Sequence, residues 1–329
     1  MSDRWRGALC GVGAAALFGL SAPVAKQLVR DTNPIVLASL LYLGAALALW
    51  LARTVRGSFT VEAPLRRSDL PILGCIAITG GMLGPVLLLF GLARVSAVTG
   101  SLLLNLEAPL TILLALALFG EHIGRRATVA SALILCGAAL LAGGLEGWSA
   151  ETVGVLLICA ACLTWALDNN LTQRLSLRDP LAIVSWKATA AGLANLLIAA
   201  TLGAPMPSMP AIVSALLLGA LSYGVSIVLD TYALRLIGAA REAAFFATAP
   251  FFGAGVAVVF FGDVLGARQA LATLLMIAGM SALLFERHAH VHNHQELTHE
   301  HVHTHDEHHQ HGDDLPLGEV HSHVHTHAT

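Results

Sequence analysis

Charge is scarce in this sequence. Asp, Glu, Lys and Arg make up 12% of its 329 residues, about half of the roughly 25% usual in soluble domains. That leaves too little polar surface to solvate a folded chain of this size in water. Cysteine is also scarce. Cys10, Cys75, Cys136, Cys159 and Cys162 all lie inside apolar runs, where cysteine behaves as a small hydrophobe, so no extracellular disulfide framework is implied. Cys159-Ala160-Ala161-Cys162 has redox or metal spacing, but its apolar, helix-length context argues for packing. No basic stripe with interleaved aromatics points to nucleic acid. No phosphate loop, nucleophile triad or soluble carboxylate pair is present, which argues against ATP-driven pumping and enzymatic catalysis.

What is present is apolar length. Hydrophobic residues are 56% of the chain and mean hydropathy is +0.73. About 20 apolar residues form a helix that crosses the hydrocarbon core, and only helices or closed barrels satisfy the backbone there. Barrel strands alternate with period two; these runs are continuous, so they read as helices. Ten are expected, near 7–29, 34–53, 70–93, 96–119, 126–144, 151–173, 180–202, 211–236, 240–261 and 266–285. Asp31-Thr32-Asn33-Pro34, Arg178-Asp179-Pro180 and Gly262-Asp263 mark breaks. The first run is longer than a signal-peptide core and many spans follow it, so it reads as a retained helix.

Basic residues set the orientation. With a cytoplasmic N-terminus, 13 Arg fall on inside segments, 4 basic residues fall outside, and Lys187 lies within a span. That asymmetry predicts a multi-pass protein of a bacterial-type inner membrane with both termini cytoplasmic.

The two halves echo one another. Phe18-Gly19-Leu20-Ser21 aligns with Trp165-Ala166-Leu167-Asp168, and Leu106-Glu107-Ala108-Pro109 with Ala247-Thr248-Ala249-Pro250. Five spans per half is an odd number, so the second half enters the bilayer inverted. Inverted repeats around a midplane site are a transporter architecture. The expected fold is all-α integral membrane, with two inverted five-helix repeats over 1–146 and 147–287 and a disordered cytoplasmic tail over 288–329.

Phe18-Gly19-x-Ser21-x-Pro23, Asn105-x-Glu107-Ala108-Pro109-Leu110 and Gly120-Glu121, with their echoes Ala249-Pro250 and Gly262-Asp263, resemble the drug/metabolite transporter superfamily in its EamA-type branch. The resemblance spans about residues 7–286. It implies ten helices, cytoplasmic termini and secondary transport, often export of metabolites. The second half departs from the first by carrying Thr248 where the first has Glu107, so any carboxylate role at that position is one-sided.

Charged groups within the bilayer are costly and are functional candidates by default. Glu107 is the sharpest. It sits mid-span beside Asn105, two residues before Pro109, whose missing donor frees backbone carbonyls nearby. It can bind a proton, a cation or substrate; the bland reading is a structural carboxylate bonded to a neighbouring helix. Asp168 and Asn169 lie within the sixth span and are expected to line a cavity, unless the span ends early and they merely cap it. Lys187 and Asp230 both fall in the inner half of the membrane, where they either form a structural ion pair, the first expectation, or line the cytoplasmic mouth. Gly80-Gly81-x-x-Gly84-Pro85 reads first as close helix packing and second as a hinge.

The tail holds 15 of the 16 His and none of the 18 Lys and Arg. His299, His301, His303 and His305 nearly recur as His321, His323, His325 and His327, with His308, His309 and His311 between them. Alternate residues of an extended chain share a side, so such strings offer neighbouring imidazoles to one ion. His-rich tracts read as metal-binding, and imidazole suits Ni, Co and Zn. No cofactor is required by the core; a divalent metal on the tail is the expectation. The expected partners are the lipid bilayer and a small-molecule or metal-ion substrate, without nucleic acid, and a homodimer is a candidate assembly. Three functions compete: a secondary exporter of a small solute, a Ni/Co/Zn exporter fed by the tail, and a non-transporting metal sensor.

Overall fold

The computed structural model describes residues 3–56, 63–119, 123–143, 149–284, 297–304 and 320–327. Among these, nine helices are long and apolar enough to cross a membrane: α1 Asp3–Leu28, α2 Pro34–Val55, α3 Arg67–Leu92, α4 Ala97–Leu118, α6 Ala150–Gln173, α7 Pro180–Thr201, α8 Met209–Ile237, α9 Arg241–Phe261 and α10 Ala267–Leu284. A tenth, α5, runs Arg125–Leu141. It is about 25 Å long at 1.5 Å per residue, a little short of the hydrocarbon core. Leu47, Leu51, Val259 and Phe260 are exposed on the outside of the bundle, as a lipid-facing surface requires.

Packing follows the repeat. α1 packs on α8 and α9, and α6 packs on α3 and α4. α2 meets α8 as α7 meets α3, while the pairs α2–α7, α4–α9 and α5–α10 map onto themselves. Exchanging each helix with the one five further along thus reproduces the contacts. Local irregularities recur in the same way. α3 carries a π-helical stretch at Ala77–Leu83, and α8 carries one at Ala220–Val225. α4 narrows to a 3-10 turn at Leu104–Leu106 shortly before Pro109, and α9 breaks at Ala247–Thr248 before Pro250. Gly120-Glu121 lies outside the described residues.

Contacts between loops agree with an inverted second half. Arg178, between α6 and α7, bonds Asp69 at the start of α3 at 2.8 Å. Asp179, the N-cap of α7, lies 3.7 Å from Arg53 near the end of α2. At the other face the N–H of Val98 donates to Asp263, between α9 and α10, at 3.1 Å. The α2–α3 and α6–α7 connections therefore share one face, and the α3–α4 and α9–α10 connections share the other.

In the tail, β1 Leu297–Thr304 and β2 Val320–His327 pair antiparallel. This differs from the unstructured chain expected there. The period-two alternation of His with Thr and Val suits a strand, and the two near-repeats are the segments that pair. His299 stands opposite His325, His301 opposite His323 and His303 opposite His321. His305, His308, His309 and His311 lie outside the described residues.

Candidate functional site

The site begins where α4 is irregular. Pro109 lacks the N–H that would continue the helical ladder, and the backbone tightens to a 3-10 turn immediately before Glu107. A regular helix resumes at Glu107, whose carbonyl accepts the Thr111 hydroxyl at 2.8 Å. α6 crosses this point. Consecutive helical residues are turned by about 100°, so the run Asp168-Asn169-Asn170 is split three ways. Asn169 is exposed and donates from Nδ2 to Glu107 Oε1 at 2.7 Å. Asn170 is buried and donates to the carbonyls of Ala166 and Thr111. Asp168, about a quarter-turn from Asn169, is buried against Lys187.

Glu107 and Asn169 open onto a cavity of about 520 Å³ between α1, α4, α6, α9 and α10. Asn105 also lines it, held by a hydrogen bond from Nδ2 to the Leu102 carbonyl at 2.9 Å. Its Oδ1 is buried with no partner among the described residues. The rest of the wall is largely apolar, with Phe18, Trp165 and Phe246. Phe18 and Phe246 have ring centroids 5.0 Å apart. The second half contributes Glu242, Ala249 and Pro250.

Three expectations from the sequence are corrected. Asp168 does not line the cavity. It is buried behind it, where Lys187 Nζ meets Oδ2 at 2.7 Å. Lys187 accordingly pairs with Asp168 and not with Asp230, because α7 packs on α2 and α3 whereas the lower part of α8 packs on α1 and α9. Asp230 instead has Glu242 as its electrostatic neighbour. Pro109 is buried and shapes α4 without reaching the cavity. Glu242 is the functional candidate that sequence reading passed over. It stands at the start of α9 beside Arg241, where a charge reads as a helix-end residue.

Gly80-Gly81 belongs to the same layer. The Gly80 carbonyl, released by the π-helical turn, accepts both the Tyr42 hydroxyl at 2.8 Å and the Trp165 Nε1 at 2.9 Å. A Cβ at Gly80 would overlap the Asp168 carboxylate. Close packing, the first reading of this motif, is what the contacts at Gly80 show. The cysteines of the C-x-x-C spacing are both free. No group of three or more metal-ligating side chains occurs among the described residues.

Repeated halves, a lipid-facing exterior and a solute-sized cavity between them define a polytopic membrane carrier. The EamA-like transporter family matches the chain twice, over residues 5–143 and 152–285, and the chain belongs to that family. It is 29% identical over 291 residues to an uncharacterized transporter of Methanothermobacter thermautotrophicus, across 83% of this chain and 84% of that relative. A crystal structure of a protein superposes with a TM-score of 0.61 at 19% identity, covering 84% of this chain and 96% of that one; at that identity the likeness concerns the fold. The protein is a multi-pass membrane transporter of small solutes.

Proposed function

We propose that the protein is a secondary exporter of a small organic solute, working by alternating access, with Glu107 and Asn169 as its substrate or coupling station. One observation carries this reading. A carboxylate from the first repeat and an amide from the second meet at 2.7 Å on the wall of a cavity lined by both halves. Rocking one half against the other would open and close that contact, as inverted-repeat carriers require. The 13-to-4 basic asymmetry supports cytoplasmic termini in a bacterial-type inner membrane. The cavity takes in Met280, Leu283 and Leu284 near the C-terminal end of α10, which in that orientation is the cytoplasmic, loading side of an exporter.

We further propose that the tail binds Ni, Co or Zn as a buffer or sensor rather than feeding metal through the core. The register that sets His299, His301 and His303 opposite His325, His323 and His321 supports binding. The largely apolar cavity, in which no group of three metal-ligating side chains occurs among the described residues, favours an organic cargo over a metal.

The test is the composition of the medium around cells making wild-type protein, Glu107→Gln or neither. The expected result is an organic solute enriched outside by wild type and at baseline with Glu107→Gln. Three identical media would overturn the reading. In parallel, cells loaded with Ni, Co or Zn should retain as much metal with the full-length protein as without it; lower retention would instead favour the metal exporter.

A further inference from the structure

The cavity's charge is one-sided. Glu107 comes to its wall from α4 and Glu242 from α9, and none of the described residues that line it is Lys, Arg or His. Lys187, within α7, is held by Asp168 and is not among those lining residues. Behind Glu242, Asp230 lies as its electrostatic neighbour. The wall therefore presents the carboxyl groups of Glu107 and Glu242, with no cation among its described residues to balance them. A low-dielectric site with uncompensated negative charge favours a cation and repels an anion.

The remaining wall selects among cations. Phe18, Trp165 and Phe246 present rings to the same space, and aromatic faces attract organic ammonium groups. A bare metal ion would face mostly carbon. A volume of about 520 Å³ falls in the usual range for small organic ligands, about 300–1,000 Å³.

Building on the solute-exporter reading above, we propose that this cavity binds an organic monocation, an amine or quaternary ammonium on an apolar, ring-sized body. Its charged head lies towards Glu107 and Glu242 and its body lies against Phe18, Trp165 and Phe246. Asn169 keeps the Glu107 carboxylate oriented by donating to one of its oxygens.

The test is a set of three probes of one shape and different charge, titrated calorimetrically into full-length protein in lipid nanodiscs, with empty nanodiscs as the partition blank. The probes are 2-phenylethylamine, 2-phenylethanol and 3-phenylpropionate. The expected result is saturable binding of the amine at least tenfold tighter than the alcohol or the acid. Glu107→Gln and Glu242→Gln should each weaken the amine severalfold while leaving the alcohol unchanged. The comparison of probes on wild-type protein stands even where a variant fails to fold. If the alcohol or acid binds as tightly as the amine, and Ala247→Trp, which fills the cavity, abolishes that binding, the cation class is overturned while the cavity remains a solute site. If none of the three binds, the monocation proposal fails, and the comparison of media with Glu107→Gln decides the exporter reading separately.

Discussion

Lys187 on α7 and Asp168 on α6 form an ion pair at 2.7 Å, with 16% and 5% of their side chains exposed. The pair lies about a quarter-turn from the helix face that presents Asn169 to the cavity, so it fixes the rotation of α6. Lys187→Met leaves a buried carboxylate without its counter-charge and should cost about 3–5 kcal/mol. The double variant Lys187→Met/Asp168→Asn removes both charges and should recover much of that loss. Thermal unfolding of the purified variants decides it; a double variant no more stable than the single one would show that the pair is not what holds this layer.

Two glycines of α3 should respond in opposite ways. At Gly80 a methyl group runs into the Asp168 carboxylate, and at Gly74 it meets nothing within 4 Å. Gly80→Ala should destabilise by about 1–3 kcal/mol, as overpacking does. Gly74→Ala should be neutral, or stabilising by up to about 1 kcal/mol from helix propensity. Unfolding midpoints of the two, measured side by side, check the π-helical packing.

Asn169→Ala removes the donor to Glu107 Oε1. Hydrogen bonds to charged groups contribute about 1.5–3 kcal/mol, so solute flux should fall roughly tenfold to a hundredfold with little change in unfolding temperature. Asn170→Ala, whose partners are backbone carbonyls joining α6 to α4, should do the reverse and lower stability more than flux. Transport and melting curves on both variants separate the two roles.

The tail should titrate independently of the core. Metal binds neutral imidazole, whose unperturbed pKa is about 6.5. Affinity for Ni or Zn should therefore be full above about pH 7.5 and fall as pH drops through about 6.5, with protons released on binding. Truncation after Arg287 should abolish this binding and leave the unfolding temperature of the helical core unchanged. Calorimetry at two pH values on both chains tests it.

Much of the architecture is written locally. A span is dictated by about twenty consecutive apolar residues, and a break by Asn33-Pro34 or Asp179-Pro180. The described helices accordingly begin and end within a few residues of the expected runs, with the offset greatest at the start of α1. Glu107 was legible as a site residue because a carboxylate in the middle of an apolar run is costly to place in a bilayer and marks a site by default. Pro109 marked the irregular turn of α4, whereas the break of α9 at Ala247–Thr248 was not foreseen although Pro250 echoes it. Asp168 and Asn169 could be marked together but not told apart, because their roles depend on how α6 is rotated.

Partnership was not legible. Depth in the membrane made Lys187 and Asp230 expected neighbours, yet two residues at one depth meet only if their helices are adjacent, and helix adjacency is a tertiary fact. Glu242 passed as a helix-end charge until the packing of α9 against α1 set it on the cavity wall. The alternation of His in the tail declared a metal-binding pattern, while the register that faces His301 with His323 belongs to the pairing of strands far apart in the chain. Sequence by itself determined that the chain spans the membrane in repeated halves with a carboxylate at mid-depth, because hydrophobic length and buried charge act residue by residue. Only the tertiary structure decided which polar groups share a cavity and which neutralise each other, because that depends on the rotation and adjacency of helices that are all apolar along most of their length.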